Sequence, residues 1–216
     1  MTTNITKCLL VLLALALSGC ATVKPYDYTA LKKNAPRSIL VIPPQNNSVD
    51  VTASYSYLST VSQPLAEKGY YVFPVSVIDA FLKENGLPTP MEMNSIPLDK
   101  IKEHIGADAV LYVTIDDWGQ KFVVLSSKTI VKGSVKLVSV ESGELLWDAP
   151  IFAEIASDSG GHGLVGALVN AVVTQIAGSV NDRTPDAARM ANNIAFYSAK
   201  RGLLPGPYAP AEPKKK

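Results

Sequence analysis

One cysteine lies where its thiol could be modified after a proteolytic cut. Cys20 directly follows Ser18 and Gly19, and an apolar run from Leu9 to Leu17 precedes these small residues. A bilayer-spanning helix needs about 20 apolar residues. The run is too short for that, but it fits the apolar core of a secretory signal peptide. A thiolate is the nucleophilic form of cysteine, and small residues before it allow a peptidase to close on the chain. The pattern predicts covalent chemistry at the Cys20 sulfur.

The tetrapeptide Leu17-Ser18-Gly19-Cys20 matches the lipobox of bacterial lipoprotein signals. In such signals the thiol accepts a diacylglycerol, and cleavage exposes the cysteine amine for further acylation. Two or more acyl chains anchor a protein stably, whereas a single chain holds it only marginally. We therefore expect residues 1–19 to be a signal peptide and the mature chain to be tethered to membrane lipids through Cys20. Ala21, rather than an aspartate, follows the cysteine, which predicts the outer membrane, with the domain facing the periplasm.

A second pattern, Gly161-His-Gly163-Leu-Val-Gly166, has the spacing of a dinucleotide-binding fingerprint. That fingerprint requires a strand after its helix, with an acidic residue at the end of the strand. Asp182, the acidic residue at about the right distance, instead lies between two predicted helices. We interpret the glycines as a loop that turns tightly and lets a helix pack closely. The sequence predicts no nucleotide cofactor.

Residues that could perform acid–base or metal chemistry are few. His104 and His162 have no partners at metal-ligand spacing, and the chain has no Gly-x-Ser-x-Gly motif. The carboxylates Asp116 and Asp117 could in principle act as acid and base, but their place after an apolar run favours a turn at the end of a strand. The sequence predicts no catalytic residue, no metal and no cofactor.

The charge balance excludes a nucleic-acid partner. The 216 residues include 20 Lys and Arg against 19 Asp and Glu, a formal net charge of +1, and Lys7 is the one charged residue of the expected signal peptide. The mature chain is then neutral and lacks the basic field that holds a phosphate backbone. Cys8 would be lost with the signal, so no disulfide can form and packing alone must stabilise the fold.

The apolar periodicity predicts a single α/β domain. Strand and helix patterns alternate along the first half, with strands at 38–42, 70–73 and 109–115, helices at 51–68, 76–86 and 98–105, and further strands at 121–140 and 145–155. The order βαβα(α)βββ predicts a two-layer mixed sheet, with crossover connections first and an antiparallel meander after, followed by C-terminal helices. We expect a tether over 20–37, the α/β domain over 38–202 and a disordered Pro/Lys tail over 203–216.

The segment 164–180 would be apolar on nearly every side of a helix. Such a helix is buried in a core, packed in an assembly or inserted in lipid, and its 17 residues are at the short limit for spanning. Small residues along the segment would allow a second helix to approach closely. Core burial, self-association and membrane contact all stay open. The candidate interaction helix comprises Leu164, Val165, Gly166, Leu168, Val169, Val172, Val173 and Ile176.

Beyond the lipobox, four further segments resemble a known family. They are YLSTVSQPLAEKGYYVFPVSV at 57–77, GLPTP at 86–90, IGADAVLYVTIDDWG at 105–119 and SGELLW at 142–147. The chain resembles the bacterial outer-membrane lipoproteins of unknown function typified by the neisserial genome-derived lipoprotein antigen. The resemblance implies a domain similar to those of TolB at its N-terminus and of curli-secretion-type lipoproteins. It also implies a role in an envelope assembly or secretion complex, and it brings no catalytic residues.

These observations favour a non-enzymatic, lipid-anchored periplasmic domain that acts as an accessory or scaffold in an outer-membrane assembly or secretion complex. The expected partners are membrane lipids, envelope lipoproteins such as a curli-secretion-like protein, and a second copy of the chain. One alternative is a ligand-binding or enzymatic domain that uses the glycine loop at 160–163 or the loop at 87–97. Another is a subunit of a pore-forming oligomer.

Replacing Cys20 with alanine tests the lipid anchor. Without the sulfur no diacylglycerol can be attached, so we expect the Cys20→Ala precursor to stay uncleaved and to incorporate no labelled palmitate in cells. Normal palmitate labelling of this variant would exclude Cys20 as the attachment site.

Overall fold

The computed structural model describes residues 25–123, 126–156 and 182–210. Within these residues the chain forms six strands and six helices. The strands are β1 (Ser38–Val41), β2 (Gln45–Asn46), β3 (Tyr71–Val72), β4 (Ala109–Val123), β5 (Ser126–Ser139) and β6 (Leu145–Ala156). The helices are α1 (Thr29–Asn34), α2 (Ala53–Glu67), α3 (Val75–Glu84), α4 (Pro90–Met93), α5 (Leu98–His104) and α6 (Thr184–Tyr197).

The strands form one mixed sheet in the order β3-β1-β4-β5-β6, with β2 also paired to β4. β1 is parallel to both β3 and β4, whereas β4, β5 and β6 are antiparallel neighbours. The predicted α/β class and mixed sheet are confirmed. β2 is an addition to the prediction: the chain resumes pairing with β4 after Pro43 and Pro44, in a stretch that the sequence indicated only as a loop.

Two separate cores cover the two faces of the sheet. Ile39 and Val41 point into the larger core, which α2 and α6 complete, while Leu40 and Ile42 point into a smaller core under α3, α4 and α5. Alternate side chains of a strand face opposite sides, so a run that is apolar at every position must be covered on both faces. The second, smaller core thus adds to the two layers that the sequence predicted.

A buried polar network joins the two helices of the larger core. The Tyr57 hydroxyl on α2 donates to Asn192 Oδ1 on α6, and Asn192 Nδ2 donates to Thr60 Oγ1 at 3.1 Å. Tyr57 and Asn192 are both fully buried, and burial raises the pKa of the Tyr57 hydroxyl. These hydrogen bonds satisfy polar groups that would otherwise be costly to hold in an apolar core.

The N-terminal segment packs against the end of the sheet, which corrects the predicted extent of the tether. Pro25 is the first described residue, and from Tyr26 onward the chain contacts the domain. Tyr26 donates to Asp148 Oδ1 at 2.7 Å, Tyr28 donates to the Gly202 carbonyl at 2.6 Å, and Leu31 is buried. Pro25 and Pro36 within the predicted tether disfavour long regular structure, but they do not prevent aromatic and apolar side chains from packing.

The C-terminal segment is likewise ordered up to 210, whereas the sequence predicted disorder from 203. Leu203 is buried, and the backbone N–H groups of Gly206 and Tyr208 donate to the carbonyls of Lys68 and Gly69. Gly69 has a φ of +83°, and a Cβ on it would lie 2.1 Å from the Ala209 nitrogen, so the close approach of the two segments requires glycine here. Residues 211–216 lie outside the described residues.

An Asp148–Arg201 ion pair fastens both terminal segments to β6. Arg201 Nε donates to the Asp148 carbonyl at 2.8 Å and its Nη2 pairs with the Asp148 carboxylate. Partial burial disfavours the charged carboxylate, but hydrogen bonds from Tyr26 and Arg201 outweigh this effect, and the pKa of Asp148 is lowered.

Truncation of Asn192 should destabilise the core. Asn192→Ala leaves the buried Tyr57 hydroxyl without its acceptor, which costs about 1–3 kcal/mol for an unsatisfied buried group. The measurement is the free energy of unfolding in urea. Asn193→Ala is the matched control, because Asn193 is the exposed neighbour on the same helix, and exposed substitutions usually change stability by less than about 0.5 kcal/mol. Equal effects of the two variants would contradict the role of the network.

The Asp148 carboxylate should make stability depend on acid pH. Its pKa is lower in the folded than in the unfolded chain, so its contribution is present above the ordinary aspartate pKa and is lost as pH falls through the lowered folded value. We expect Asp148→Asn to lower the melting temperature at neutral pH and to flatten its decline in acid. Parallel acid profiles of the variant and the unchanged protein would contradict this assignment.

Candidate interaction surface

Several residues that the sequence analysis singled out lie outside the described residues. They are the lipobox residues Leu17, Ser18 and Gly19, the attachment residue Cys20, the glycine loop 160–163 and the candidate interaction helix within 164–180. All of these stay predictions.

The candidate acid–base residues that the structure does describe are not brought together. His104 ends α5 with its side chain about half exposed, and its Nε2 lies 3.7 Å from Glu103 Oε2. Within 25–123, 126–156 and 182–210, no group of three or more His, Cys, Asp or Glu side chains could hold a metal ion. In the same ranges no helix is both long and apolar enough to cross a membrane.

Asp116 and Asp117 do not lie in the turn that the sequence predicted. β4 continues past them to Val123, and its register with β5 shifts between Ile115 and Asp117, which is a β-bulge. Gly133 lies opposite this irregularity, where a Cβ would come within 2.1 Å of the Thr114 carbonyl oxygen. Asp117 forms a salt bridge with Lys121 at 2.8 Å. The carboxylate pair therefore belongs to an extended, bulged strand and not to a strand end.

The loop 87–97 is held in one conformation by its own hydrogen bonds. Thr89 caps α4: its side chain accepts from the Glu92 N–H, and the Glu92 carboxylate accepts from the Thr89 N–H at 3.0 Å. Asn94 Nδ2 donates to the Pro43 carbonyl at 2.8 Å, and the Met93 side chain is fully buried. This capping box and its anchors position α4 against β2.

Two grooves flank this loop. An apolar groove of about 370 Å³ lies between α3 and α5, and its walls include Phe81, Leu87, Ile96 and Ile105. A second groove of about 580 Å³, here called the amide groove, lies between α4 and the start of α2. Its walls are Gln45, Asn46, Asn47, Val51, Ser54, Tyr55, Thr89, Pro90 and Met91.

Three walls of the amide groove are exposed apolar side chains, and Val49 is exposed on the loop that precedes Val51. Val49 is 93% exposed, Val51 88%, Met91 76% and Tyr55 41%. We call these four residues the apolar rim. Isolated exposed apolar residues are ordinary, but a group of them gathered around a groove is typical of a surface that binds another molecule.

The loop that carries Val49 and Val51 is fixed by short-range polar contacts. Asn46 Oδ1 accepts from the N–H and hydroxyl of Ser48, while Asn46 Nδ2 donates to the Asp50 carbonyl at 2.7 Å. Asp50 Oδ1 in turn accepts from the Thr52 N–H at 2.8 Å. Side chains of Asn, Asp, Ser and Thr stabilise turns in this way. Val49 and Val51 are thereby held outward in one conformation. Because the loop is already ordered, it would lose little conformational entropy when a partner binds.

The electrostatics of the rim centre on Tyr55. Its hydroxyl donates to Asp79 Oδ1 at 3.3 Å, and Lys83 Nζ lies 4.7 Å from its ring centroid and 2.7 Å from Asp79 Oδ2. The hydrogen bonds with Asp79 and Tyr55 raise the pKa of Lys83. The carboxylate and ammonium are already paired, so this side of the groove offers amide, hydroxyl and apolar groups, which suit a polypeptide partner better than a reacting substrate.

The chain matches a known protein family over most of its length. Residues 26–208 match the family described as "Putative lipoprotein GNA1162-like". The chain belongs to this family. The resemblance that the sequence segments indicated is therefore confirmed.

Known relatives agree with this assignment. The chain is 39% identical over 205 residues to the putative lipoprotein NMB1124/NMB1162 of Neisseria meningitidis serogroup B, covering 93% of this chain and 95% of the relative. The crystal structure of lipoprotein GNA1162 from Neisseria meningitidis is similar, with a TM-score of 0.55 and 38% identity over 66% of this chain and 99% of the other. The C-terminal domain of LpoB from Salmonella enterica is less similar, with a TM-score of 0.40 and 20% identity over 55% of this chain and 83% of the other, and the family assignment does not rest on it.

The apolar rim was not predicted from the sequence. Residues 45–50 have the composition of a polar loop, because four of the six residues are polar amides or serine. The signal that could have revealed the rim is the placement of Val49 and Val51 between turn-forming side chains, where neither valine has a position in a core.

Proposed function

We propose that this chain is a non-enzymatic, lipid-anchored domain that acts as an accessory or scaffold in an outer-membrane assembly or secretion complex. Membership of a lipoprotein family supports the anchor. The observation that carries the docking role is the apolar rim: Val49 and Val51 are exposed on a hydrogen-bonded loop, and Tyr55 and Met91 are exposed on the two helices beside the amide groove. The proposed partner at the rim is another envelope protein, such as a curli-secretion-like lipoprotein.

The position of the rim fits a domain that is held to a membrane by its N-terminus. Helix α2 begins at Ala53, next to Val51, and ends at Glu67, next to the residues that bind the C-terminal segment. A helix of 15 residues is about 22 Å long. Tyr28 bonds to Gly202, and Gly206 bonds to Lys68, so the N-terminal segment lies at the far end of α2 from the rim. A partner could therefore reach the rim without displacing the tether.

The candidate interaction helix within 164–180 supplies a second proposed contact. Its apolar character favours burial against a second copy of the chain or against an envelope partner. A periplasm-facing, outer-membrane location accords with the lipobox and with Ala21, and both stay part of the proposal.

The alternative of a ligand-binding or enzymatic domain gains less support from the described residues. The loop 87–97 borders two grooves. The groove between α3 and α5 has mainly apolar walls, and the amide groove has walls rich in amide side chains. The serine hydroxyls of the two grooves donate to backbone carbonyls and not to a base: Ser95 Oγ donates to the Glu92 carbonyl and Ser54 Oγ to the Pro44 carbonyl. A small apolar molecule that saturates the groove between α3 and α5 would favour this alternative.

Photo-crosslinking in cells tests docking at the rim. A photo-reactive amino acid at position 51 should capture one or a few envelope proteins, which mass spectrometry would identify. The matched control places the same residue at position 208, because Tyr208 is also exposed, at 56%, but lies at the other end of α2. Capture of the same proteins from both positions would contradict a rim-specific site.

A double substitution tests whether the rim side chains themselves drive the contact. Val51→Asp with Met91→Asp places two charges in a surface that should become desolvated, so the captured partner should be lost from pull-downs. Both residues are highly exposed, so the free energy of unfolding should change by less than about 0.5 kcal/mol. Unchanged recovery of the partner would overturn docking at this surface.

A further inference from the structure

The expected lipid attachment lies very close to the first described residue. Five peptide steps separate Cys20 from Pro25, and an extended chain covers at most about 3.6 Å per residue, or roughly 18 Å in all. Because the chain is packed from Tyr26 onward, no longer tether is available. The end of the domain that carries Pro25 must therefore stay near the bilayer that holds the acyl chains.

Lysine side chains surround this end of the domain. Pro25 lines a cavity of about 420 Å³ together with Tyr28, Lys68 and Lys200. Lys32 lines a neighbouring groove of about 250 Å³, and the two share Leu204 and Pro205 as walls. We call Tyr28, Lys32, Lys68 and Lys200 the basal face.

The charges of the basal face are not neutralised within the protein. Lys32, Lys68 and Lys200 form no ion pair with any residue of the described ranges, and Lys68 instead stands over the Tyr197 ring at 4.4 Å. The nearby carboxylates are already engaged: Glu67 accepts from Gln63 and Tyr197, Asp148 is paired with Arg201, and Asp27 accepts from the Thr29 N–H. Lys32 and Lys200 are therefore exposed and, within the described ranges, unpaired, and Lys68 is half-buried against the Tyr197 ring, beside the first described residue of the chain.

We propose that the basal face rests on the phospholipid headgroups of the anchoring bilayer, with Lys32, Lys68 and Lys200 contacting lipid phosphates. Basic side chains near a membrane are attracted to anionic lipids over about a Debye length, roughly 8–10 Å, which is within the reach of the short tether. The proposal rests on the lipid anchor of the proposed function. It fixes the orientation of the domain: the anchor end lies against the membrane and the apolar rim points away from it.

The orientation can be measured on the lipidated mature protein in vesicles. The mature chain has Cys20 as its only cysteine, and its sulfur is acylated, so an introduced thiol can be labelled selectively. A fluorophore on Ala199→Cys, at the basal cavity, should be quenched by nitroxide lipids. A fluorophore on Phe152→Cys, on the outer face of β6, should show little quenching. Equal quenching at the two positions of an anchored protein would overturn the orientation while leaving the anchor intact.

Lipid composition and charge variants test the lysines. Quenching at position 199 should rise when phosphatidylglycerol is added to phosphatidylethanolamine vesicles, and salt should reverse the rise. The triple variant Lys32→Gln, Lys68→Gln, Lys200→Gln should lose the rise. The matched triple variant Lys128→Gln, Lys132→Gln, Lys136→Gln, on the outer sheet face, should keep it. A rise that persists in the basal variant would overturn the headgroup contact. Protein that washes off every vesicle would overturn both this proposal and the lipid anchor.

Discussion

Strand β4 is hydrogen-bonded to other strands along both of its edges, and this constraint determines the arrangement of the described domain. β1 and β2 pair with one edge and β5 with the other. Over Ala109–Ile115 the strand is also covered on both faces, so nearly every side chain there must be apolar. This double coverage places α2 and α6 on one side of the sheet and α3, α4 and α5 on the other. The later half of β4 leaves the parallel part of the sheet after the bulge and continues only with β5.

The chain closes one end of this sheet with both of its terminal segments. Tyr26 and Arg201 meet at Asp148, Trp147 Nε1 donates to the Arg201 carbonyl at 2.7 Å, and the Trp147 ring stacks on Phe196 with centroids 5.4 Å apart. Tyr70 donates to the Leu204 carbonyl, and burial raises the pKa of Tyr70 to about 12. The described N- and C-terminal segments are therefore structural parts of the domain, and they bring the proposed lipid attachment at Cys20 close to it.

The opposite end of α2 has a different character. There the chain forms a turn-rich loop whose polar side chains bond to one another and leave two valines in solvent. A rigid loop that exposes apolar groups suits recognition, because little conformational entropy is lost when a partner covers it. The proposed anchor and the rim lie toward opposite ends of one helix, which would give the proposed scaffold a defined direction from the membrane toward a partner.

The sequence by itself determined the α/β class, the antiparallel meander and the family, because these depend on local periodicity and on contiguous segments such as 105–119. It also indicated the lipobox through four consecutive residues. Only the tertiary structure decided that Leu31 and Leu203 are buried and that Tyr26 bonds to Asp148, since these contacts join residues that are distant in the chain. The bulge at Asp117 likewise depends on the register with Gly133. The rim required the structure for the same reason. A valine in a polar loop can be buried or exposed with the same local sequence, and only its neighbours in space decide whether it is exposed.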